Sequence, residues 1–140
     1  MQIKILIKNA TIFLEHTHII CIKSDVIKHT FKYEYTKPVT IDLQHITNIH
    51  TSTFFKFIDI IDNNISITNF DLEDINDLFV ITNILNFLGI YKEYDECVDR
   101  LKYLIENNMV EDLKNISKAY NNHTIRDTDY NNIEITNYIL

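Results

Sequence analysis

Residues 74–105, DINDLFVITNILNFLGIYKEYDECVDRLKYLI, hold two amphipathic helical patterns that meet at a single glycine. In the first, Ile75, Leu78, Phe79, Thr82, Leu85 and Leu88 recur at steps of three and four, the period of a helix that buries one face. Gly89 is the one glycine in the chain and follows the last apolar position directly. That is where a helix needs a left-handed residue, a conformation a Cβ penalises. From Tyr94 the spacing resumes through Cys97, Val98, Leu101, Leu104 and Ile105, so the sequence predicts two helices folded back on each other.

Outward from this pair, the N-terminal third reads as strands. Ile3, Ile5 and Ile7 alternate with Lys4, Leu6 and Lys8, Asn9-Ala10 makes a turn, and Thr11–Leu14 returns as the second arm of a hairpin. After the polar stretch 15–18, Ser24 caps a helix of two turns carrying Val26, Ile27 and Phe31. Beyond Lys37-Pro38, Val39, Ile41 and Leu43 form a third strand. Thr51-Ser52-Thr53 then caps a helix over 51–61 whose face is Phe54, Phe57, Ile58 and Ile61, widened by Phe55 and Ile60. Residues 62–72 are Asn- and Asp-rich and read as a loop, with Ile65 and Ile67 suited to a short strand. The acidic residues Asp71, Glu73, Asp74 and Asp77 suit the positive end of the following helix and are expected to be solvated. Met109, Val110, Leu113, Ile116 and Tyr120 mark one more helix, and 127–140 is read as a helix that needs a partner. The expected class is α+β, in one compact domain.

Composition narrows the function. At 140 residues, 46% hydrophobic and 24% charged, the chain can bury a core without metal or disulfides. A net charge of −7 and a pI near 5.2 disfavour nucleic acid and anionic membrane, which demand clustered Lys and Arg. With Lys4 and Lys8 interrupting the opening apolar residues, no leader or membrane span is expected, and Cys21 and Cys97 are read as reduced thiols of a cytoplasmic and nuclear protein. The Asn-x-Ser/Thr triplets at Asn9, Asn64, Asn115 and Asn122 follow from a composition rich in those residues. The six histidines lack zinc-ligand spacing, the cysteines lack a nucleophile signature, and one glycine cannot build a phosphate-binding loop. No cofactor, metal or catalytic group is expected, and the chain is read as a binding module, not an enzyme.

Four strings, in order, resemble the BTB/POZ family, specifically its Skp and elongin C branch. IKILIKNATIF (3–13) resembles the family's IKL-x(5)-EIF opening, SDVIKHTF (24–31) its S-x-x-IK-x-x-L helix, and VTIDLQHI (39–46) its V-x-L-x-x-V strand. DLFVITNILNFLGI (77–90) resembles LFELILAANYLDI, with Phe87 where tyrosine is usual. Residues 91–120, through MVEDLKNISKAY, resemble the helices by which Skp proteins extend that fold. The chain departs from the branch in its shorter 62–73 loop, in a tail without tryptophan and in Gly89 for an acidic residue.

The resemblance implies a BTB/POZ core over 1–106, a three-stranded sheet flanked by helical hairpins, and a Skp-type extension over 107–140. It implies an adaptor that links a cullin N-terminal domain to an F-box-type receptor in a ubiquitin ligase, as a monomer that forms heterodimers. The implied cullin-binding residues are Asn48, His50, Asn86 and Phe87; the F-box-binding residues are Tyr94, Val98, Leu101, Ile105, Leu113, Ile116 and Tyr120. Two other roles fit the same resemblance: a viral or parasite decoy that sequesters a host cullin or F-box protein, and a self-associating scaffold. By spacing alone Leu101, Ile105, Leu113 and Ile116 better suit this chain's own core, and Asn86 equally suits bracing the turn at Gly89.

Overall fold

A computed structural model describes residues 2–34, 39–46 and 49–107. Strands β1 (Gln2–Ile7) and β2 (Ala10–Glu15) form an antiparallel hairpin in which Ile3, Ile5 and Ile7 face Leu14, Ile12 and Ala10. The turn is therefore Lys8-Asn9, one residue earlier than the sequence predicts, because Ala10 already pairs with Ile7. This register keeps Ile12 and Leu14 on the same face as the three isoleucines; a one-residue slip would reverse that. Strand β3 (Val39–Asp42) runs parallel to β1, with Ile3 opposite Val39 and Ile5 opposite Ile41, so the mixed sheet has the order β2-β1-β3. Ile3, Ile5, Ile7, Val39 and Ile41 are all buried on its inner face.

A parallel pair needs a crossover, and the chain makes it through α1 (Ile20–Lys23) and α2 (Asp25–Glu34). At ten residues α2 exceeds the two turns expected. Ser24 caps it as predicted: its Oγ accepts the Ile27 N–H at 3.1 Å and donates to the Leu88 carbonyl at 2.6 Å. One hydroxyl thus fixes the start of a helix and attaches it to the helical pair.

Helix α3 (Thr51–Ile61) has the predicted bounds but a different cap. His50 occupies the N-cap position without a side-chain cap bond, and Thr51, Ser52 and Thr53 lie within the first turn. Phe54, Phe57, Ile60 and Ile61 are buried, whereas Phe55 is exposed. The strand suggested by Ile65 and Ile67 is absent among the described residues; Ile67–Asn69 and Leu72–Asp74 are single 3-10 turns. Ile67 and Phe70, three residues apart, are both buried, which one 3-10 turn achieves without any ladder partner. Asp71 and Asp74 form a reciprocal capping box that starts the 3-10 turn Leu72–Asp74, which runs directly into the next helix.

Helix α4 (Ile75–Leu88) buries the whole predicted stripe and also Val80, Ile81 and Ile84, packing against α2, α3 and α5 (Tyr91–Glu106). Gly89 is left-handed (φ 68°, ψ 39°). The Ile90 N–H reaches the Leu85 carbonyl at 3.0 Å and the Gly89 N–H the Asn86 carbonyl at 3.2 Å, the paired bonds of a Schellman ending, with Ile90 and Leu85 both buried. Across the pair's start, Lys23 Nζ donates to the Ile61 carbonyl (3.1 Å) and to Glu93 (3.0 Å), tying α1, α3 and α5 together around a nearly buried carboxylate. The architecture is α+β, a small three-stranded mixed sheet with several helices. The predicted helix at 109–120, the segment 127–140 and hence the extension beyond 107 lie outside the described residues, as does Lys37-Pro38.

Candidate protein-interaction surfaces

On a helix as enclosed as α4, an exposed aromatic stands out. Phe87 is 37% exposed, in the last turn, one residue after the exposed Asn86. Its ring meets that of His45 at a centroid distance of 4.6 Å and an interplanar angle of 60°. His45 lies in the segment between β3 and α3, so two elements far apart in sequence present one aromatic surface. Asn86 contributes its backbone carbonyl to the glycine turn, while its side chain is exposed beside Phe87. The bond to the turn is made by backbone that any residue would supply, so it is not the side-chain bracing expected of an asparagine.

His50 is exposed at the N-cap position of α3. Its charge helps hold Asp77 ionised, in the first turn of α4, and Asp77 and Phe87 are ten residues apart on that helix, roughly 15 Å at its rise per residue. Asn48 lies outside the described residues. Sequence reasoning misses His45 as a named contact; its sole signal is membership of the segment flanking α3. Spacing places Phe55 in the buried stripe, but its 53% exposure makes it a surface aromatic instead.

Around Asp77 the charges are organised, not simply solvated. Burial disfavours its ionisation, but bonds from Lys56 (2.6 Å) and Thr53 (2.8 Å) and the charges of Lys56 and His50 prevail, and its pKa is lowered. Lys56 is correspondingly raised, first by its bond to Asp77, against a smaller opposing effect of burial and with Asp74 nearby at 3.7 Å.

The predicted receptor-binding residues on α5 require correction as an open face. Tyr94 is 4% exposed, Val98 2%, Leu101 0% and Ile105 2%. Their apolar area is already out of water, so a partner helix laid on them would gain no further burial. They are brought together, but as core. Leu113, Ile116 and Tyr120 lie outside the described residues. What α5 does expose is Tyr91, Tyr103 and a run of charge.

Burial and the charges of Glu96 and Glu93 push the Cys97 thiol up to about 12 against a lowering bond from Thr82, which leaves it protonated and poorly nucleophilic at neutral pH. Cys21 is also raised, chiefly by burial. His18 links two parts of the chain: its Nδ1 accepts the Ile20 N–H at 3.1 Å while Nε2 meets the Asp62 carboxylate at 3.1 Å. Among the described residues no group of three or more His, Cys, Asp or Glu could hold a metal ion, and no helix is long and apolar enough to cross a membrane. Compared with protein-family models, with curated proteins and with solved structures, the chain finds no match in any of the three.

Proposed function

We propose that this chain is an adaptor of the Skp and elongin C branch of the BTB/POZ family, joining a cullin N-terminal domain to an F-box-type receptor within a ubiquitin ligase. The sheet order β2-β1-β3, with β1 antiparallel to one neighbour and parallel to the other, and the succession of hairpin, helix, strand, helix and helical pair support the fold half of that reading. The observation that carries the functional half is the exposed Phe87 at the end of an otherwise enclosed helix, ring to ring with His45. Covering the exposed third of that phenyl is worth only about 1 kcal/mol by area. Phe87 therefore orients a partner, and the His45 segment and Asn86 supply the remaining contact. A phenylalanine where the family has tyrosine leaves any polar group waiting for that hydroxyl unpaired, at about 1–3 kcal/mol if buried.

Co-expression with a cullin N-terminal domain, followed by size-exclusion chromatography with light scattering, tests the reading. A one-to-one complex is expected. Phe87→Glu should abolish it while leaving the free chain folded, because a carboxylate there is costly to desolvate. Undiminished capture by that variant places the contact elsewhere.

The burial of Tyr94, Val98, Leu101 and Ile105 favours a second reading, a decoy that keeps the cullin face and holds no receptor. An F-box peptide added to the same experiment separates the two: a ternary complex supports the adaptor, a cullin complex that ignores the peptide supports the decoy.

A further inference from the structure

We propose that the trough between residues 63–68 and the outward side of α5 is a docking groove for an extended basic segment of a partner protein. Ser66, Ile67 and Thr68 form one wall and Glu96, Asp99 and Tyr103 the other, enclosing about 400 Å³. A hollow of about 200 Å³ continues it toward Lys92 and shares Ser66, Ile67 and Glu96. The volume is within the range of sites that hold small ligands or short peptide stretches. Phe87 lines neither part, so the groove does not rest on the cullin reading.

Charge chooses the occupant. Of the two cations among the described lining residues, Lys92 belongs to the smaller hollow. Arg100, at the rim of the larger part where the charge selection acts, is already engaged: its Nε donates to the Phe70 carbonyl at 2.8 Å, a terminal nitrogen lies 3.6 Å from Asp71, and its guanidinium sits 4.7 Å from the centre of the Tyr103 ring. Glu96 and Asp99, one helical turn apart and both exposed, take part in no ion pair among the described residues. Two uncommitted carboxylates beside the half-exposed ring of Tyr103 select a chain that places Lys or Arg next to an apolar side chain able to lie against that ring. An acidic or phosphorylated segment would meet like charge, and a wholly apolar one would leave both carboxylates facing it without partners.

The test uses the full chain and two fluorescent peptides, one with the core Leu-Lys-Ile-Arg-Leu and one with Leu-Glu-Ile-Glu-Leu. The basic peptide should bind, shift the amide resonances of residues 66–68 and 96–103, and weaken at least about tenfold when ionic strength rises from about 0.05 to about 0.5 M. The double variant Glu96→Lys, Asp99→Lys should lose at least about tenfold in affinity and Tyr103→Ala about threefold, both with unchanged thermal unfolding, while Phe87→Glu binds as the parent does. Equal binding of the acidic peptide, shifts confined to other residues, or undiminished binding by the double variant overturns the proposal. So does failure of the basic peptide to bind, including the case in which sedimentation shows the groove closed by a second copy of this chain.

Discussion

Helices α4 and α5 are joined by Gly89 and lie side by side, yet water reaches them differently. On α4 the exposed residues are Asn76, Asn86 and Phe87; on α5 a whole side is open, from Tyr91, Lys92 and Asp95 through Glu96 and Asp99 to Tyr103 and Glu106. Helix α4 is packed by α2 and α3 as well as by α5. A helix enclosed from several directions derives its stability from tertiary packing, and an apolar residue it leaves outside is an exception to that packing. A helix covered on one side needs charge on the other, so exposure there carries less information, and groups of residues must be considered together.

The difference can be broken or sharpened by substitution, the largest effect lying at the centre of α4. Phe79→Ala, fully buried on that helix, should cost about 3–5 kcal/mol in urea unfolding, whereas Tyr103→Ala on the open side of α5 should stay within about 0.5 kcal/mol. Similar costs would abolish the distinction. Next comes the one charge α5 turns inward. Lys23→Met strands the carboxylate of Glu93, 9% exposed, and should cost about 3 kcal/mol; adding Glu93→Leu should recover most of it, because the unpaired charge is what destabilises.

At the junction, Gly89→Ala should cost about 1–2 kcal/mol, since φ is 68° and a Cβ there would approach the Asp25 Cβ to 3.2 Å; Gly89→Asn, which tolerates this backbone better, should cost less. A loss below that for alanine would mean the two helices are held by packing alone. Phe87→Glu gives up the covered two thirds of its ring and should cost about 1–2 kcal/mol in the same unfolding experiment, which leaves the free chain folded and separates its expected loss of capture from a loss of folding. Smaller still is the pH dependence at the start of α4. Asp77 is lowered from an ordinary 3.8, so its contribution is present above that pH and fades as pH falls through the folded value. Lys56 is raised from 10.5, so its contribution is present below that pH and fades as pH climbs through the folded value. About a third of each side chain is in water, so Asp77→Asn should lose less than about 1 kcal/mol between about pH 5 and 9 and converge with the parent only once pH has fallen through the lowered pKa of folded Asp77, as denaturant titrations would show.

The elements themselves are legible because their signals are local. The alternation of Ile3, Ile5 and Ile7, the helical spacing of Ile75 to Leu88, the cap at Ser24 and the glycine stop each depend on a few neighbouring residues, and each is found where the pattern puts it. The misses are equally physical. Thr51-Ser52-Thr53 looks like a cap by composition, yet Thr53 donates to Asp77, a group 24 residues away. Phe55 extends the apolar stripe of α3 on paper but faces water, because the core is reached by Phe54 and Phe57. The buried Glu93 has no sequence signal at all; its partner Lys23 is 70 residues earlier. Of the candidate surface, Asn86 and Phe87 are identifiable by resemblance, while His45 emerges as their neighbour in the folded chain alone.

Periodicity, capping and one glycine determined by themselves that this chain makes an α+β fold with a helical pair, since those preferences act within a turn or a few strand residues. Which faces meet was decided by tertiary structure. Burial depends on what arrives from elsewhere in the chain, and that is why α4 is enclosed, why Tyr94, Val98, Leu101 and Ile105 are core instead of an open groove, and why Phe87 and the trough beside Tyr103 are left at the surface.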